Sequence, residues 1–130
     1  MANLVQVTPF MHVENLDTAV AFFTDILGFA VGFRADNYAF VRREQVAFRL
    51  LEQCGPEGAS DGAPPGNRRY AYYIDVRDVD ALYAELKPKL DTLPPSDVKA
   101  PFDQPYEQRE LLVLAPDGNL IAFGQDIRKR

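Results

Sequence analysis

The chain states one unit twice. Val13-Glu14-Asn15-Leu16-Asp17 is echoed by Val76-Arg77-Asp78-Val79-Asp80, 63 positions further on (76 − 13) in a chain of 130 residues. Internal repetition constrains a fold strongly, because a unit that cannot bury its apolar face alone is completed by its twin. Asn15 is placed to cap a helix, its side-chain oxygen accepting from the free N–H groups of the first turn. Asp17 falls where the positive end of the helix dipole favours an acid. Leu16, Ala19, Val20, Phe23, Ile26 and Leu27 recur at helical spacing, and Gly28 can close the helix in the left-handed conformation. This predicts a helix over Leu16–Leu27. In the second copy Asp78 takes the cap position, Asp80 the first-turn acid, and Val79, Leu82, Tyr83 and Leu86 the apolar face, with a stop near Pro88.

Around each helix the chain reads as strands. Leu4–Val13 alternates Val7, Pro9, Met11 and Val13 on one face with Thr8, Phe10 and His12 on the other; Pro9 cannot donate to a ladder and marks an edge or a change of partner. Phe29–Arg34, Tyr38–Arg42 and Val46–Leu51 follow as short antiparallel strands. Glycine and proline dominate Gln53–Asn67, which reads as a linker over residues 54–67. Arg69–Val76 matches the first strand. A short strand is expected within Thr92–Val98, a polar aromatic loop over Phe102–Gln108, and two strands over Glu110–Leu114 and Asn119–Gln125, joined by a turn at Pro116-Asp117-Gly118. The expectation is an α+β fold of two βαβββ modules (about residues 1–53 and 68–130), with curved sheets around a groove and helices on the outer face.

Composition narrows function by exclusion. The net charge of −5 opposes nucleic acid and anionic membranes and favours cationic ligands. No apolar run approaches a membrane span, the N-terminus does not read as a signal peptide, and the lone Cys54 cannot make an internal disulfide, which together predict a cytoplasmic protein. A divalent metal centre wants about three converging His, Cys or carboxylate ligands; the chain has one His and one Cys. The carboxylates Asp75, Glu107 and Glu110 read as solvated surface charge. Phe10, Phe33, Tyr38, Phe40, Tyr73, Phe102 and Tyr106 are candidates to line the groove, where aromatic faces suit planar or cationic ligands.

The module order, the two V-x-[N/D]-[L/V]-D helix openings, the FF-x-x-x-LGF run at Phe22–Phe29 and the PDGN turn at Pro116–Asn119 resemble the vicinal oxygen chelate superfamily, the glyoxalase, bleomycin-resistance and extradiol-dioxygenase group. The resemblance implies metal-ligand positions at Thr8, Arg49, Ala71 and Ala122, none of them a standard ligand. Within the group the chain most resembles the metal-free bleomycin-resistance proteins, through Phe33-Arg34, Tyr38, Arg43, the strand ending at Leu51, Val79–Ala84 and Tyr106–Arg109. Those proteins are small, acidic homodimers that sequester a cationic drug in grooves at the dimer interface. They carry tryptophan where this chain has Tyr38 and Tyr106. The resemblance thus implies a binding protein without cofactor or metal, with Thr8, Phe10, His12, Phe33, Tyr38, Arg49, Tyr73, Asp75, Phe102 and Tyr106 at the ligand site and Asp75 as the acid partner of Arg49. The alternatives are a glyoxalase- or dioxygenase-like metal enzyme using His12 with Asp75 or Glu52, and a dimeric module with no small ligand.

Overall fold

The structure is a computed structural model that describes residues 3–52 and 70–128. The expected linker and Cys54 lie outside them. Among the described residues, two sheets of four strands each carry one helix. The first module runs β1 (Phe10–Val13), α1 (Leu16–Ala21) continued by a wider turn over Phe22–Ile26, β2 (Ala30–Arg34), β3 (Tyr38–Arg43) and β4 (Val46–Glu52). The second runs β5 (Ala71–Asp75), α2 (Val79–Leu90), β6 (Val98–Asp103), β7 (Gln108–Leu114) and β8 (Leu120–Asp126). The sheet orders are β1-β4-β3-β2 and β5-β8-β7-β6, the same topology twice. No helix among the described residues is long and apolar enough to cross a membrane.

The repeat extends to individual hydrogen bonds. Asn15 Oδ1 accepts from Thr18 N at 2.9 Å and Asp78 Oδ1 from Ala81 N at 3.0 Å. Each helix also takes one acceptor from the last strand of its own module: Leu16 N donates to Glu52 Oε1 and Val79 N to Gln125 Oε1, both at 2.8 Å. These contacts satisfy donors that a helix start leaves without partners.

The predicted first helix changes character midway. Leu27 N donates to Phe22 O at 3.2 Å, five residues back, and Phe29 N to Phe23 O at 2.8 Å, with Gly28 at φ 78°. This wider turn lets the adjacent Phe22 and Phe23 both be buried (7% and 0% exposed). Phe23 packs on Phe29 and Phe48, each with ring centroids 5.1 Å away, and Phe48 meets Tyr72 of the second module at 5.3 Å. One apolar core therefore joins the modules.

Three expectations are corrected. Strand β1 begins only at Phe10: Pro9 has no N–H to give, although its carbonyl still accepts from Arg49 N, and Leu4, Val5 and Val7 before it stand exposed. Thr8 therefore precedes the sheet instead of lying on it. Helix α2 runs through Pro88 to Leu90. A proline there costs a hydrogen bond only in the last turn, and Leu86 and Leu90, one turn apart, bury together and hold that turn in place. The strand expected within Thr92–Val98 begins only at Val98, after a tight turn at Pro95–Asp97, so Phe102 belongs to strand β6 and not to a loop, and the loop is the short segment over residues 104–107.

Polar contacts fasten the modules to each other. Fully buried Asn119 gives its Nδ2 to His12 O and Pro116 O, both at 3.1 Å, and accepts Tyr70 N at Oδ1, also at 3.1 Å. Tyr72 OH donates to Phe10 O at 2.7 Å, and Glu14 N to Asp117 Oδ2 at 2.8 Å. Arg43 donates to Leu27 O at 2.8 Å and to Glu85 Oε1 at 2.7 Å, beside a cleft of about 600 Å3 between the β3–β4 turn and α2.

Candidate functional site

Strand alternation decides what each sheet shows on the side away from its helix. Paired residues on neighbouring strands share a face. In the first sheet the register aligns Phe10, Arg49, Phe40 and Phe33 in one row and His12, Leu51 and Tyr38 in the next. Their neighbours Met11, Val13, Ala39, Val41, Phe48 and Leu50 point into the core. In the second sheet the rows are Tyr73, Ala122, Leu112 and Lys99, then Asp75, Gly124, Glu110 and Phe102. Eight of the ten residues expected at the site thus lie on these helix-free faces, and Tyr106 reaches the second from the loop that follows β6. Thr8 does not.

The first face is aromatic with a cation at its centre. The Arg49 guanidinium lies over the Phe40 ring, 5.2 Å from its centroid, and donates to Tyr38 OH at 2.5 Å. Arg42 approaches the same ring at 5.6 Å. Phe33 and Tyr38 meet with centroids 6.0 Å apart, and the half-buried His12 stacks on Phe10 at 6.4 Å. Arg49 therefore rests on a phenol and a ring where the sequence suggested an ion pair with Asp75. Asp75 sits at the exposed end of β5, in the other sheet. Phe33 and Tyr38 lie together on this face; Tyr106 belongs to the other.

The second face is organised around a residue that sequence reasoning passed over. Glu110 is 2% exposed, not solvated. Its Oε1 accepts from Gln104 Nε2 at 2.9 Å and its Oε2 from Tyr106 OH at 2.6 Å. The single proton of the Tyr73 hydroxyl is contested by Gln108 Oε1 at 3.1 Å and by the Glu110 carboxylate, of which the charged acceptor is the stronger. Gly124 makes room for that phenol: a Cβ there would stand 1.8 Å from Tyr73 OH. The loop over residues 104–107 is closed by Gln104 N donating to Gln108 O at 2.7 Å, with Glu107 at φ 65°, and it folds Gln104 and Tyr106 back over the strand. Alternation alone puts Glu110 opposite Leu111 and Val113, but only this loop buries it.

Burial alone would raise the Glu110 carboxyl, but the hydrogen bonds from Tyr106, Gln104 and Tyr73 together outweigh it and hold it below its ordinary value. The Tyr106 phenol is pushed up by its bond to that carboxylate and by partial burial, so it stays a donor. Because the folded value of Glu110 is depressed, its contribution to stability is present above the unfolded value of about 4.3 and is lost as pH falls through the folded one. Chemical denaturation of Glu110→Gln against the parent protein should show the parent more stable at neutral pH, with the gap closing on acidification below about pH 4. A gap independent of pH would mean that Glu110 is not ionised in the folded protein.

Among the described residues no three His, Cys, Asp or Glu side chains gather as a metal site requires. The implied ligand positions hold Arg49 and Ala122 on the two open faces, Ala71 at the start of β5, and Thr8 outside the sheet.

Known proteins share this fold. A bleomycin resistance protein of Geobacillus stearothermophilus is 28% identical over 134 residues, spanning 96% of this chain and 99% of the relative. The bleomycin-binding protein of the bleomycin producer Streptomyces verticillus, solved with copper(II)-bleomycin, superposes with a TM-score of 0.72 at 26% identity over 95% of this chain and 97% of that one. A lactoylglutathione lyase from Agrobacterium tumefaciens shares the fold at a TM-score of 0.68 and 18% identity, over 95% and 96% of the two chains. That last likeness shows the fold alone, which hosts more than one function. The family model for the Glyoxalase/Bleomycin resistance protein/Dioxygenase superfamily matches residues 4–123, and the chain belongs to that superfamily.

Proposed function

We propose that this chain is a metal-free binding protein of the bleomycin-resistance type, holding an aromatic or cationic small molecule in a groove at the interface of a homodimer. The observation that carries the reading is the pair of helix-free faces, whose rings stand open: Phe33 is 59% exposed, Tyr106 57%, Phe10 49% and Tyr73 47%. Aromatic surface of this extent marks an interaction site. The faces are also complementary, with Arg42 and Arg49 on the first sheet and Asp75 and Glu110 on the second. Opposed across a two-fold axis, the first face of one copy meets the second face of its partner, and each such pairing encloses one groove. Exposed Leu4, Val5 and Val7 supply an apolar segment able to cross to the partner. The names of the relatives point to bleomycin as the first ligand to try.

The test combines light scattering with titration of copper(II)-bleomycin. The protein should be a dimer at micromolar concentration, and the Tyr38→Ala/Tyr106→Ala double variant should bind at least about tenfold more weakly while remaining dimeric. A monomeric parent protein, or unchanged affinity in the double variant, would reject the groove.

A further inference from the structure

The second face holds an ionised carboxylate, and Lys99 on the same face lies over the Phe102 ring, 3.9 Å from its centroid, without pairing with that carboxylate. Among the described residues no ion pair reaches Glu110; its partners there are neutral, namely Gln104, Tyr106 and Tyr73. Burial alone works against that charge. Yet Gly124 and the 104–107 loop both serve to keep it, one by admitting the Tyr73 phenol and the other by folding Tyr106 and Gln104 onto the oxygens. The two phenols lead outward: the Tyr106 hydroxyl donates to the buried carboxylate, the Tyr73 hydroxyl is shared between it and Gln108, and about half of each tyrosine is exposed. A phenol donating to a carboxylate is polarised, so its ring face becomes richer in electrons. A cation over such a face is attracted by the ring quadrupole and by the charge behind it.

We infer that Tyr73 and Tyr106, backed by Glu110, form the seat for a positively charged group of the ligand, an amine or guanidinium, whereas the Phe33, Tyr38 and Phe40 face, with Arg49 on it, takes a flat neutral or electron-rich portion. This rests on the reading of the open faces as a ligand site and adds to it a polarity: the cationic end of the ligand lies on the second sheet. Glu110 acts through the tyrosines and is a positioning and charge-supplying residue, reached by the cation across their rings.

The test uses two probes of matched size and different charge, naphthylethylamine and naphthylethanol, titrated into the parent protein and into Glu110→Gln. The parent should prefer the amine by about tenfold, and Glu110→Gln should bring the preference, read as the ratio of the two affinities within each protein, to within about twofold. A second reading needs no variant: the side-chain amide resonances of Gln104 should move on addition of the amine and not of the alcohol. An amine preference that survives in Glu110→Gln, equal binding of the two probes to the parent protein, or a Gln104 amide that ignores the amine would each overturn the seat. Failure of both probes to bind the parent protein would overturn the ligand site as well.

Discussion

Phe23→Ala should lower the free energy of unfolding by about 3–5 kcal/mol. The ring has no exposed surface and lies against Phe22, Phe29 and Phe48, with centroids 5.8, 5.1 and 5.1 Å away. Its neighbours are rings held by strand β4 and by the closed end of the first helix, so the space it leaves cannot collapse. The damage reaches the second module because Phe48 is also the ring on which Tyr72 packs. Against a typical total of about 5–15 kcal/mol, the variant stands near the limit of folding. Urea unfolding measures it, and a loss below about 1 kcal/mol would show that Phe23 is not in the core.

Asn119→Ala should cost about 2–4 kcal/mol, far more than a polar-to-alanine change at a turn ordinarily does. Its amide closes three hydrogen bonds from a fully buried position, two by donating and one by accepting. Alanine leaves the carbonyl of His12 and the N–H of Tyr70 without that partner, the first within β1 and the second immediately before β5. Asn119→Asp should be no milder, because an oxygen would then face the carbonyls of His12 and Pro116. Native-state hydrogen exchange should accelerate at β1 and β5 in both variants. Exchange unchanged there would place the fastening of the modules elsewhere.

The repeat made the fold legible. A cap, a first-turn acid and an apolar face recurring 63 positions apart predicted both helices and, through them, the strand order of both modules. What stayed hidden depended on tertiary contacts. Pro88 reads as a stop until Leu90 is seen buried beneath the turn that contains it. The strand before His12 reads as long because Leu4, Val5 and Val7 are apolar, yet within one chain nothing pairs with them ahead of Pro9. For the site, alternation put Phe10 and His12 on one face of the first strand, as the register has them, since the strand period of two is a local property. It could not say that Arg49 rests on Tyr38 and Phe40, nor that Glu110 is covered, since both depend on side chains from other strands and loops. A carboxylate at an inward strand position, preceded within six residues by Gln104 and Tyr106, is the one signal that pointed to Glu110.

The central claim is that binding at these faces needs no metal held by the protein. It is tested most directly by stripping the purified protein with chelator, removing the chelator, counting residual metal and titrating preformed copper(II)-bleomycin. The account predicts less than about 0.1 divalent metal per chain before and after stripping, with the affinity for copper(II)-bleomycin unchanged. About one tightly held metal per chain in the purified protein, or binding lost on stripping and restored by adding metal back, would contradict it.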